Sequence, residues 1–565
     1  MRNDVLALTI LAVSAVLGTA FYKLSNIDVS SLATTSSAAN YTRLIAEGVF
    51  YLKSMLVMDM LLLALVTITW LKTKPDLSST TAIEQTPNSN STLIVFTLTL
   101  LLGLVLRAVH LNKGLWIDEY LTVINYIRPE FTYIASNFTD DNQHWLFSVL
   151  AKISALVFGE SQWSVRLPAT IFGLLSIWAT FRLGRLVFND SVALLSSFLL
   201  AVSYHHIWYS QNARGYTILL LGTILSVDLL IRALRSNQWK YWVFYSIALS
   251  ISVAGHLTGV FVGIAHFIVL MIYMILNQSS FRDYIKPISS FALAAWITLH
   301  IFAIMIPQMI EFFLSADAAS GTPNLHWKQP IWALSELIRS LGYPLQAGWF
   351  LVVLAGLTGI FALVACFQKN RLYFFLTTVP AVILVVTMVL MGRNLWPRLL
   401  FNMAGFAVLY IAFIACLFSD YIGKLSKVGK KLRFLPQIVL ALFFLSTTPG
   451  IYKHPKQDFY SALEFIDSNI SPNDAVIALH MAGKIYDKYY SLNWHVANSA
   501  GELRRYASQE ADTWIVYTLP AFIRKARPEI YAELQTNYQI AARFRGTLGD
   551  GDIIVMKNKN STYIN

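Results

Sequence analysis

The chain has 565 residues, of which 56% are hydrophobic and only 13% charged, with a formal net charge of +12. A soluble chain carries about 25% charged residues, so this composition, with a mean hydropathy of +0.55, excludes a soluble protein. The Lys and Arg excess sits in short loops between apolar runs, the positive-inside pattern, and nucleic acid is not expected as a partner.

The N-terminus, Met1 to Asp4 and then an apolar run to Phe21, resembles a signal peptide. The run is longer than a usual signal core and no A-x-A site ends it, so it reads as a retained anchor. Apolar stretches long enough to cross a bilayer predict about thirteen spans: 5–21, 49–71, 93–111, 166–187, 191–208, 215–233, 241–255, 257–276, 288–308, 347–367, 372–391, 398–417 and 434–449. No real loop divides 241–255 from 257–276. Residues 1–71 form an N-terminal transmembrane hairpin, and the polar, Ser/Thr-rich stretch 72–91 is a flexible cytoplasmic loop.

A transmembrane core then covers 92–449, with a long outer-face loop at 112–165. Within that loop, 143–158 is apolar but short, and Lys152 interrupts it. It reads as an amphipathic helix lying in the interface, because crossing there would turn every later positive cluster outward. Arg182 and Arg185, then Arg232, Arg235 and Lys240, then Arg282 and Lys286, then Lys369 and Arg371, then Lys424 to Arg433 all fall on one face. That face is predicted to be cytoplasmic. Residues 450–565 have soluble composition and alternate helical stretches (458–469, 528–535) with β-like runs (474–479, 513–518, 552–556), predicting a small α/β domain on the outer face. Cys366 and Cys416 lie within spans and read as small buried residues. There is no G-x-G-x-x-G or P-loop, and no internal repeat.

Chemistry concentrates on the outer face. Asp118 and Glu119 follow the 93–111 span directly, with Trp116 and Tyr120 beside them. Carboxylates kept at a bilayer edge are often functional, and one there can serve as a general base; the bland alternative is a pair that caps a helix. Adjacent residues do not share a helix face, so one of the two is expected to act and the other to support it. Arg214, within Gln211-Asn212-Ala213-Arg214-Gly215-Tyr216, and Arg393 and Arg398 lie at span boundaries on the same face. Each suits a phosphate or is an interfacial anchor. His144, His205, His206 and His256 are also outer-face residues, but their spacing makes no metal site. Asp228, inside a span, is expected to pair with Arg232 one turn on.

Taken in order, these segments resemble the GT-C glycosyltransferases, in the branch of protein O-mannosyltransferases and lipid A aminoarabinose transferases. The resemblance rests on Asp118-Glu119, His144-Trp145-Leu146, Trp163 to Ala169, Gly184-Arg185-Leu186, Ala213-Arg214-Gly215-Tyr216, His256 and Pro397-Arg398-Leu399, over about residues 93–450. Two departures stand out: no Pro-Pro follows His144, and Gln211-Asn212 replaces an acidic residue before Ala-Arg-x-Tyr. The resemblance implies a GT-C membrane fold and inverting transfer of one hexosyl or pentosyl group from a polyprenyl-phosphate carrier. The acceptor would be a hydroxyl or amine of a glycan, lipid or protein. It makes Asp118 the general base with Glu119 beside it. Arg214, Tyr216, Arg398, Arg393 and His256 would hold the donor phosphate, and His144 and Trp116 would line the acceptor or substrate side. No cofactor is required, with room left for a divalent cation. The implied location is a bacterial inner membrane, multi-pass, with the site and C-terminus on the periplasmic or extracellular side. The competing class is a transporter or flippase of lipid-linked substrates, which needs repeated halves and mid-membrane charges.

Overall fold

The computed structural model describes residues 2–32, 39–72, 89–314, 345–453, 455–507, 512–546 and 550–559. Most of the 72–91 stretch and of the loop 309–346 lies outside the described residues.

A chain in hydrocarbon must satisfy its own backbone, so each long apolar run closes into a helix. All thirteen predicted spans fall on helices. Among the described residues, nine helices are long and apolar enough to cross a membrane, or ten with the kinked pair Asp190–Val202 and Tyr204–Ser210, bent by 61°. The other three predicted spans lie on Arg2–Ser25, Trp239–Gly255 and Leu345–Lys369. The spans 241–255 and 257–276 are two helices: the chain breaks at His256 to Thr258 and resumes as Gly259–Leu276. This is a multi-pass membrane protein.

Several polar residues in these helices have local reasons. The kink after Val202 frees carbonyls, and the fully buried Arg107 collects them, donating to Ala201 O at 3.0 Å and Leu200 O at 3.4 Å. Asp228 is also fully buried and lies 2.9 Å from Arg232 and 2.8 Å from Arg182. The basic turns meet one another at this end: Arg235 donates to Leu186 O and Lys286 to Asn237 O. The N-terminal hairpin is pressed against the core, because a Cβ on Gly48 would sit 2.0 Å from Ile304 O. On the same helix, Asp59 accepts from Trp296 Nε1 and from His300 Nε2, each at 2.8 Å.

The 143–158 stretch is the 14-residue helix Trp145–Phe158. Its interrupting Lys152 is buried and donates to Ile127 O at 3.2 Å and Pro129 O at 2.6 Å, closing the end of a π-helical turn at Val123–Ile127.

The C-terminal domain is a five-stranded sheet ordered β2-β1-β3-β5-β4, with β1 Ala475–Leu479, β2 His495–Ala497, β3 Thr513–Thr518, β4 Tyr538–Phe544 and β5 Ile553–Asn558. β1 pairs parallel with β2 and β3, and β5 antiparallel with β3 and β4. One face of the sheet shares a core with the segment 112–165: Val476, Trp514 and Val555 pack in one cluster with Leu115, Tyr120 and Phe147.

Candidate active site

The Ile117–Thr122 helix begins directly after Trp116, with both carboxylates in its first turn. Neighbouring positions on a helix point apart, and the two side chains have opposite fates.

Asp118 stays partly accessible, at 17% exposure, and faces two guanidinium groups. Its Oδ2 accepts from Arg398 Nη1 at 2.9 Å and lies 3.5 Å from Arg214 Nη1. Arg398 comes from the short 3-10 helix Pro397–Met403, and Arg214 precedes the Tyr216–Ser236 helix. Asn142 Oδ1 also accepts from Arg214, while the buried Arg214 Nε has no hydrogen-bond partner among the described residues. Asn142 is set in turn by Asp140, whose Oδ1 accepts its backbone N–H at 2.9 Å and the Tyr126 hydroxyl at 2.8 Å. Burial pushes the Asp140 carboxyl up, against the pull of those two donors.

Glu119 turns inward and is fully buried. Arg166 grips it with Nε–H at 2.8 Å and Nη2–H at 2.6 Å, the Ala213 N–H donates at 2.6 Å, and Lys456 Nζ lies 3.8 Å away. Burial would raise the Glu119 carboxyl, but Arg166 and then Lys456 outweigh it and hold it below its usual value. Burial pushes the Lys456 ammonium down to about 7, with Glu119 pulling the other way. Glu119, expected beside the base as a catalytic residue, therefore faces a closed ion cluster. Through Ala213 it fixes where the next residue, Arg214, stands.

His144 is buried and its ring lies 4.7 Å from His256 and 5.1 Å from Tyr216, centroid to centroid. His144 Nδ1 lies 3.0 Å from Gly255 O and 3.3 Å from Gly215 N, and its buried Nε2 has no hydrogen-bond partner among the described residues. Burial pushes His144 well down, with Arg214 and then His256 adding to it, so the ring is neutral. Thr258 N–H donates to His256 Nδ1 at 3.2 Å, which leaves the His256 proton on Nε2. These rings require Gly215: a Cβ there would lie 2.0 Å from Gly255 O and 3.0 Å from His144 Nδ1.

Of the other expected site residues, Tyr216 packs under Arg214, 5.7 Å from its ring centroid. Trp116 is buried, not lining an open face, and its indole N–H donates to Asn212 Oδ1 at 3.1 Å. Arg393 donates to the Phe313 carbonyl at 3.1 Å. The replaced acidic position has its own use: Gln211 Nε2 donates to Arg107 O at 2.9 Å and Val109 O at 2.6 Å, closing the Asn90–Ala108 helix. The sequence alone shows no role for Arg166, Asn142, Lys456 or Gln457. Arg166 was visible within Trp163 to Ala169, but the others carry no pattern. Among the described residues no group of three or more His, Cys, Asp or Glu could hold a metal.

A carboxylate and two arginines, drawn from three separate stretches of the chain, thus meet at the edge of a helical core. The overall fold is similar to that of solved membrane transferases. Residues 144–307 match the family model described as dolichyl-phosphate-mannose-protein mannosyltransferase. ArnT from Cupriavidus metallidurans in the apo state is similar in structure, with a TM-score of 0.53 at 14% identity, over 83% of this chain and 98% of that one. The apo oligosaccharyltransferase of Archaeoglobus fulgidus aligns with a TM-score of 0.50 at 12% identity, over 79% of this chain and 73% of that one. No curated protein matches the chain in sequence.

Proposed function

We propose that the protein transfers a single sugar from a polyprenyl-phosphate carrier to an acceptor hydroxyl or amine on the outer, periplasmic or extracellular, face of its membrane. The observation that carries this reading is the convergence of Arg214 and Arg398 on Asp118. Two guanidinium groups on one carboxylate make a place for a phosphate with a base beside it. Asp118 takes the acceptor proton as the acceptor attacks the anomeric carbon. The bond from that carbon to the phosphate oxygen breaks, and its electron pair stays on the phosphate. Arg214 and Arg398 stabilise the charge that grows there. Inversion follows from attack opposite the leaving phosphate. His144 and His256, neutral and close to Arg214, are placed to read hydroxyls or phosphate oxygens. The matched family description, which names a dolichyl-phosphate mannose, supports a lipid-phosphate donor.

The test is to incubate the purified protein in lipid nanodiscs with undecaprenyl-phosphate-linked mannose or aminoarabinose and a membrane lysate as acceptor source. Release of undecaprenyl phosphate that Arg398→Ala abolishes is the expected result. Movement of intact donor across a bilayer, with no release, would point to a flippase instead.

A further inference from the structure

We infer that Gln457 is a positioning residue for Asp118: the C-terminal domain holds the short helix that carries the proposed base by its first backbone N–H. This rests on the role proposed for Asp118, but the contact itself does not.

The Ile117–Thr122 helix runs directly into the π-helical turn Val123–Ile127. A helical stretch this short is marginal without tertiary contacts, and its first N–H groups have no partner in the helical ladder; Glu119 takes the Trp116 N–H at 3.2 Å, which leaves that of Ile117. The first helical N–H, of Ile117, donates to Gln457 Oε1 at 2.7 Å. Gln457 lies beyond the last span and is fully buried. Its Nε2 donates to Thr518 Oγ1 at 2.8 Å, and Thr518 Oγ1 donates to Asp552 O at 3.2 Å. Donors and acceptors alternate in one direction along this relay, so the amide has one orientation and both its ends are used. Thr518 closes β3 and Asp552 precedes β5, so the relay ends in the sheet. A buried amide is unfavourable unless fully bonded, and this one is bonded between the two parts of the chain that must keep register.

Two further contacts act in the same sense. Tyr120, on the same short helix, meets the Tyr490 hydroxyl at 2.7 Å. Lys456 donates to Gln211 O and lies 4.5 Å from the Trp208 ring centroid, which ties the same linker to the stretch leading to Arg214. Arg398 stands on a separate element. A shift of the short helix therefore changes the Asp118–Arg398 distance, and a misplacement of about 1 Å can cost about 100-fold in rate.

The experiment is hydrogen–deuterium exchange on the full-length protein in nanodiscs, comparing wild type with Gln457→Ala and Thr518→Val. The second variant removes the far anchor with a side chain of the same shape. The expected result is exchange at least about tenfold faster in residues 116–122 of both variants, with 216–236 and 475–479 unchanged. With undecaprenyl-phosphate-linked mannose, kcat should fall about 100-fold and KM stay within about threefold. Unchanged exchange at 116–122 in both variants would overturn the inference, and so would equal acceleration along the whole chain. If wild type neither retains undecaprenyl phosphate nor uses the mannose donor, the transferase reading fails while the exchange result still decides the strut.

Discussion

Asp118→Asn separates two roles that the resting site combines. The amide keeps the size of the carboxylate and can still accept from Arg398 at the present 2.9 Å. It cannot take a proton. General-base catalysis contributes about 10²- to 10⁴-fold, which is about 3–5 kcal/mol of barrier. Turnover should fall by that factor. Donor binding should move the other way, because the carboxylate now occupies the guanidinium groups a phosphate would use. A charge pair at about 4 Å gains about 4 kcal/mol at an effective dielectric of 20. Asp118 is 17% and Arg398 29% exposed, so water screens part of this. A realised gain of about 1 kcal/mol, or about fivefold tighter retention of undecaprenyl phosphate, is expected. Titration of undecaprenyl phosphate by calorimetry and release of lipid phosphate from a labelled donor measure the two effects. Turnover within tenfold of wild type would refute the base, and weaker lipid binding would refute the competition.

Glu119→Gln should cut folded yield and lower the unfolding temperature in detergent, because it leaves Arg166 buried without its counter-ion, a change of about 3–5 kcal/mol; a soluble, equally stable variant with lost turnover would move Glu119 into the chemistry. Gly215→Ala should destabilise by about 1–3 kcal/mol through overpacking and weaken undecaprenyl phosphate retention, since the new methyl meets Gly255 O and the His144 ring. The backbone there, at φ −80, accepts alanine, so normal stability would show that the two segments can part. His144 is held neutral in the folded protein, its pKa depressed, and His256 is pushed down to about 3, whereas free histidine titrates near 6.5. Below about pH 6.5 the unfolded chain binds protons that the folded chain refuses, so stability should fall as pH drops from 7 to 5. A His144→Asn, His256→Asn double variant should flatten that slope in thermal scans.

The spans were legible because bilayer length and hydropathy are read residue by residue. The sheet was half legible for a related reason. β1, β3 and β5 are buried almost throughout and appear as continuous apolar runs, while the missed β2 and β4 are the two edges. β2 has three residues and β4 alternates toward solvent, so neither shows much signal. Asp118, Arg214 and Arg398 were legible as polar groups at span ends. Asn142 and Gln457 were not, because their meaning lies in partners 72 and 340 residues away. Nor could the sequence tell which way Asp118 and Glu119 would turn, since that depends on where Arg166 packs.

The Asp118–Arg214–Arg398 triad carries two positive charges and one negative, a sum of +1. A donor phosphodiester, carrying about one negative charge, brings the sum to zero. On the proposed reaction the proton reaches Asp118 as the phosphate becomes a monoester of about −2, and the sum is again zero. On that reaction the three groups and the phosphate sum to zero before and after transfer, which a partly buried site favours. Only when Asp118 surrenders its proton to water does the sum turn negative, so the spent carrier is repelled by the group that helped to make it. Departure of the product is then timed by a proton.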